Sequence, residues 1–181
     1  MKINVKLFTK QHLIQGLVNA KKVRLTDFLN TPNESSFLVE KVKILRLSAL
    51  NDPPVEMPII KLNRWTIVFA IPDGKTDLNV SSFNRRVSRT PHDVFVCLES
   101  CEVQGRLHLA RALDIDNVFA TMPNDFVPLT EATVTFPTFS CTVKARTAII
   151  NKHRITFVGL PGEEKKPVVT GTSDGENARV R

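Results

Sequence analysis

The residues best suited to chemistry fall in two matched triplets, Asn63-Arg64-Trp65 and Asn151-Lys152-His153, each an amide, a cation and a ring at a short turn. Such a set can hold a nucleic-acid strand. The cation neutralises a phosphate, and the ring stacks on a base for about 1–3 kcal/mol. A plainer reading stands beside this one. Strand alternation puts Trp65 in step with Ile67 and Phe69, and His153 in step with Ile155 and Phe157, which favours packing over stacking. Charged residues in turns are normally solvated, so Arg64 and Lys152 read as surface charges before they read as phosphate ligands.

Catalytic constellations are not apparent. His12, His92, His108 and His153 show neither H-x3-H nor H-E-x2-H spacing, no serine lies in a G-x-S-x-G elbow, and there is no G-x-G-x2-G or phosphate loop. Cys97, Cys101 and Cys141 are odd in number and lack the C-x2-C spacing of zinc sites, so they are expected to be reduced thiols. The chain is therefore expected to be no enzyme and to need neither cofactor nor metal. A net charge of +7 and a pI near 9.6 permit a nucleic-acid, anionic-lipid or acidic-protein partner without choosing among them. No apolar run approaches the roughly 20 residues that span a bilayer, and Met1 to Lys6 alternates too regularly for a signal peptide, so a cytoplasmic protein with no membrane partner is expected.

The elements that carry the triplets come twice. Leu13-Ile14-Gln15-Gly16-Leu17-Val18 is echoed by Cys101-Glu102-Val103-Gln104-Gly105-Arg106-Leu107, and Leu25 to Leu29 by Ile115 to Phe119. Pro32-Asn33-Glu34 is likewise echoed by Pro123-Asn124-Asp125. Ile3, Val5 and Leu7 alternate with polar residues at the period of a half-buried strand, as do Val94, Val96 and Leu98. Each copy thus opens with a β-hairpin into the Gln-Gly strand, where Gly16 and Gly105 are expected to mark a sharp bend. A short helical turn follows, capped by Thr26 or Asp116 and cut off by Pro32 or Pro123. Strands then resume from Phe37 to Leu47 and from Phe126 to Phe136, with Pro128 needing an edge or a bulge. Two short strands around a basic turn close each copy. The segment 73–90, with Arg85, Arg86 and Arg89, reads as a polar linker, and the charged tail 162–181 as disordered.

This order resembles the Sm-like barrel. Phe95-Val96-Cys97-Leu98 with Val103-Gln104-Gly105-Arg106-Leu107 is similar to the first motif of Sm-like and Hfq-type proteins. Ile150-Asn151-Lys152-His153-Arg154-Ile155 is similar to the second, above all in its Lys-His turn. The first copy answers with Gln15-Gly16-Leu17-Val18, Asp27 with Asn30, and Leu62-Asn63-Arg64-Trp65. The chain departs from the family in having no glycine in the last turn and a longer Thr-Pro-Asn excursion, and no counterpart of the family's first helix is expected ahead of Lys2. Arg85 and Arg89 also resemble the R-x3-R start of the PilZ pattern, but Leu113 to Val118 lacks that pattern's serine and glycine, so a solvated linker accounts for them better.

The expected fold is all-β, with two tandem five-stranded Sm-like or SH3-like barrels at about 1–72 and 91–161, each carrying a short helical turn. Units of this size bury little core alone, so the copies should pack on each other or on other chains. The resemblance implies a non-catalytic, RNA-binding protein that holds single-stranded RNA through Asn63, Arg64, Trp65, Asn151, Lys152 and His153. It also implies a homo-oligomer, with three chains forming a pseudo-hexameric ring. The other reading is a protein-interaction or structural module with no nucleic-acid role.

Overall fold

In the computed structural model the described residues are 1–21, 23–73, 89–110, 114 and 117–161. The linker arginines Arg85 and Arg86, the proposed cap Asp116 and the tail 162–181 lie outside them.

The alternating segments form strands as their period requires. Strand β1 (Lys2–Phe8) buries Ile3, Val5 and Leu7, and pairs antiparallel with β2 (His12–Asn19) from Lys2↔Asn19 to Phe8↔Leu13. The second copy repeats the hairpin as β6 (Thr90–Leu98) and β7 (Glu102–Leu109), with Val94, Val96 and Leu98 buried. The elements between and after them are β3 (Ser36–Arg46), β4 (Val55–Asn63), β5 (Phe69–Pro72), β8 (Phe126–Phe136), β9 (Cys141–Asn151) and β10 (Ile155–Gly159). Against these ten strands the described residues set one α-helix of five residues, α1 (Leu25–Leu29), and a few 3-10 turns. No helix among the described residues is long and apolar enough to cross a membrane.

Both Gln-Gly steps are bulges. The β2–β3 register shifts between Gln15 and Leu17, and the β7–β8 register between Gln104 and Arg106. On the facing strands Lys41 and Glu131 take φ of 50° and 51°, left-handed values that L-residues seldom adopt. Glycine is needed for contact as well as for bending: a Cβ on Gly16 would lie 2.7 Å from Val39 Cγ1 and 2.8 Å from the Glu40 carbonyl oxygen. Gly16→Ala is therefore expected to cost about 1–3 kcal/mol by overpacking. Gly159→Ala, with nothing within 4 Å of the added carbon, serves as the neutral control in the same chemical-denaturation series.

Each set of five strands has the same order, β5-β1-β2-β3-β4 and β10-β6-β7-β8-β9. The sets stay contiguous in sequence. They join where β5 pairs with β9 through Phe69↔Ile150 and Ala70↔Ile149, making one ten-stranded antiparallel sheet. Among the described residues that sheet is open, with β4 bonded only to β3 and β10 only to β6. Pro128 is accommodated because the β7–β8 ladder has its last pair at Arg106↔Thr130, leaving Pro128 beyond it and paired only with Ile149 of β9.

Burial crosses the junction as hydrogen bonding does. The cluster built on Val94, Val96, Leu129 and Val134 also takes in Phe8, Val68 and Phe69 from the first copy, while the cluster around Ile3, Val5 and Leu25 takes in Phe126 and Ile149 from the second. Phe8 and Phe69 stack with centroids 4.2 Å apart, and Phe136 lies 5.9 Å from Phe69. Small units that bury too little alone thus share their cores.

Helix α1 buries Leu25 and Leu29 against the first copy's cluster. Its N-cap is Arg24, with no side-chain cap, so Thr26 lies inside the helix and does not cap it. Asn30 ends the helix and reaches across the copies: its Nδ2 donates to the Phe126 carbonyl (2.8 Å), and its Oδ1 accepts from the Phe126 N–H (2.9 Å).

Candidate nucleic-acid interface

The two basic turns are short 3-10 helices, Arg64–Thr66 after β4 and Lys152–Arg154 after β9. Their asparagines build them. Asn63 Oδ1 accepts the Trp65 N–H at 3.0 Å, and Asn151 Oδ1 accepts the His153 N–H at 3.1 Å, the side-chain turn that asparagine favours. Asn151 is fully buried because it also spans the junction, its Nδ2 donating to the Ile67 carbonyl (2.9 Å) and its N–H to the Val68 carbonyl (3.0 Å). Asn63, in the matching place on the sheet edge, is exposed.

The cations of both triplets turn inward. Arg64 is 6% exposed, and its Nη1 donates to the carbonyls of Leu29 (3.2 Å) and Thr31 (2.6 Å). Lys152 Nζ donates to the Met122 carbonyl at 2.7 Å and lies 4.0 Å from Asp125. Each cation ties the excursion after the helical turn to the closing turn of its own copy. The reading of Arg64 and Lys152 as solvated turn charges does not hold.

The rings turn outward. Trp65 sits in the 3-10 turn, before β5 begins and before the unbroken buried run from Ile67 to Ile71, so strand alternation does not govern it, and it remains 37% exposed. His153 is likewise exposed. The β5–β9 junction brings the two turns together: Trp65 and His153 meet edge to face with centroids 5.8 Å apart. The Arg64 guanidinium lies 4.5 Å from the Trp65 ring centroid, and His153 Nε2 is 2.8 Å from Asp125 Oδ1. Arg154 Nε donates to the Trp65 carbonyl (3.2 Å) while its Nη1 donates to Glu99 (3.0 Å). Lys10, Thr66 and Arg154 line an open cleft at this junction.

Arg154, Glu99 and Asp125 were not singled out by sequence reasoning. Arg154 aligns with Thr66 in the first copy, so comparing the repeats conceals it. Cys97, Cys101 and Cys141 are free; burial pushes the Cys101 thiol up to about 12, leaving it protonated and poorly nucleophilic. No family model matches the chain, and neither curated proteins nor solved structures gave a match.

Proposed function

We propose that the chain is a non-catalytic protein that binds single-stranded RNA where its two basic turns meet, its halves acting as open Sm-like barrels. One observation carries this reading. Two turns far apart in sequence are brought side by side with their rings, Trp65 and His153, exposed and 5.8 Å apart. Trp65 is held by the cation at its ring, and Arg64 is itself fixed by two carbonyls, so the indole offers a base a platform that is already ordered. With Arg64 and Lys152 committed to carbonyls, phosphate contacts fall to cations beside the turns, Lys10 first among them. The three unbridged thiols support a cytoplasmic setting.

Retention of single-stranded RNA pools on a filter across a salt series tests the reading. Affinity should fall with a log-log slope near −0.7 per phosphate neutralised, and Lys10→Ala should shallow that slope by about 0.7. Trp65→Ala should weaken binding by about 1–3 kcal/mol with little change in slope, because stacking releases few ions. No retention at about 50 mM salt, where electrostatic binding is strong, would leave the second reading, a protein-interaction module. The inward turn of Arg64 and Lys152 favours that alternative.

A further inference from the structure

We propose that the chain assembles head to tail with copies of itself by pairing β10 of one chain with β4 of the next, in the register of the internal β5–β9 junction. Among the described residues the two open edges of the sheet are β10 and β4, and in the repeat they are the counterparts of β5 and β9, the strands already joined inside the chain. Each edge is therefore one half of an interface whose other half exists at the opposite end of the same molecule. A heterologous contact of this kind propagates from chain to chain.

The repeat fixes the register. Phe157 stands where Phe69 stands and Leu62 where Ile150 stands, so Phe69↔Ile150 and Ala70↔Ile149 become Phe157↔Leu62 and Val158↔Lys61 between chains. Two residues further along each strand, Leu160 then faces Ile59. Asn63 takes the part of Asn151, giving its N–H and Nδ2 to the carbonyls of Thr156 and Ile155.

Exposure follows the same plan. Val55, Met57 and Ile59 on β4 are 52%, 40% and 48% exposed, and Phe157 on β10 and Leu160 just after it are each 54% exposed. These make up most of the large hydrophobics that the described residues leave in solvent. Val143 and Ala145, the β9 counterparts of Val55 and Met57, are packed against the cluster that contains Phe8, Val68 and Phe69. Phe157 already leans on Phe95, centroids 6.1 Å apart, so it is presented with little freedom left to lose. One element of the internal junction is missing: Ala120 aligns with Asn30, so the amide clamp on Phe126 has no equivalent between chains. Association should consequently be reversible and dependent on concentration.

The test is the mass in solution of the full chain and two edge variants, Phe157→Glu and Ile59→Glu, by light scattering and sedimentation. The native chain should exceed 20.3 kDa as its concentration rises. A mass three times that of the chain would mark closure as the three-chain ring, and a longer series an open one; either contains the junction. Each variant alone should associate at least about 100-fold more weakly, since a carboxylate would be buried without a partner. Mixed one to one, the variants should recover a heterodimer of twice the chain mass, through the intact β10 edge of one and the intact β4 edge of the other. A native chain that stays monomeric to about 100 µM, an affinity too weak for a specific interface, would overturn the proposal. So would a variant that still dimerises alone, because that contact would pair like edges. Should a variant fail to fold, hydrogen exchange of the native chain decides: the amides of Lys61 and Asn63 should exchange more slowly in concentrated than in dilute protein, and equal rates would overturn the junction.

Discussion

Phe69→Ala should destabilise the chain by about 3–5 kcal/mol, the range for removing a fully buried aromatic. Phe69 has no exposed surface, stacks on Phe8 at 4.2 Å, lies 5.9 Å from Phe136 of the other copy, and pairs with Ile150 across the junction. Its loss opens a cavity touching both copies, and the backbone ladder around it restricts collapse. For a chain of this length the melting temperature should fall by roughly 6–20 °C. Because each hydrophobic cluster draws residues from both copies, the native chain should also unfold in one transition. Phe157→Ala is the matched control: the same residue type at the same repeat position, 54% exposed, should change monomer stability by less than about 1 kcal/mol. Equal losses at the two sites would mean that the junction does not bury Phe69 as described.

Arg64→Ala should cost about 3 kcal/mol. Two hydrogen bonds from a charged donor are removed, and the carbonyls of Leu29 and Thr31 lose the group that satisfies them. Arg64→Lys should recover only part of the loss, because an ammonium on a flexible stem does not reproduce the planar guanidinium that lies 4.5 Å from the Trp65 ring centroid. Lys152→Ala should be milder: its one close bond is to the Met122 carbonyl, and its side chain keeps 17% of its surface in solvent. Urea denaturation of the three variants ranks them. A solvated Arg64 would instead show a change within about 0.5 kcal/mol.

Much of the sheet was legible in the chain. The alternation of Ile3, Val5 and Leu7, and of Val94, Val96 and Leu98, has a period that only a half-buried strand satisfies, and both Gln-Gly steps proved to be bulges. The β5–β9 junction was not legible. Phe69 and Phe157 read alike in sequence although one is enclosed and the other open, because burial depends on which strand lies opposite and a repeat is silent on that. The left-handed backbone at Lys41 and Glu131 left no trace either, since neither residue type signals it.

At the candidate site, the sequence picked out both turns, but it assigned their side chains the wrong way round. Alternation suggested a packed Trp65 and solvation suggested an exposed Arg64. The turn is a 3-10 helix outside any strand, so alternation does not govern it, and the ring lies outside and the cation inside. Nothing local to Asn63-Arg64-Trp65 announces the carbonyls of Leu29 and Thr31, which come from an excursion many residues earlier.

The most direct measurement of RNA binding at the paired turns uses the chain's own composition. It contains one tryptophan and no tyrosine, so emission excited at the indole band comes from Trp65 alone. Titration with a single-stranded RNA pool at low salt should quench that emission to saturation as bases stack on the ring, and added salt should restore it as phosphate contacts are lost. RNA retained by the protein without any change in Trp65 emission, or no response at all, would contradict the placement of the binding face at Trp65 and His153.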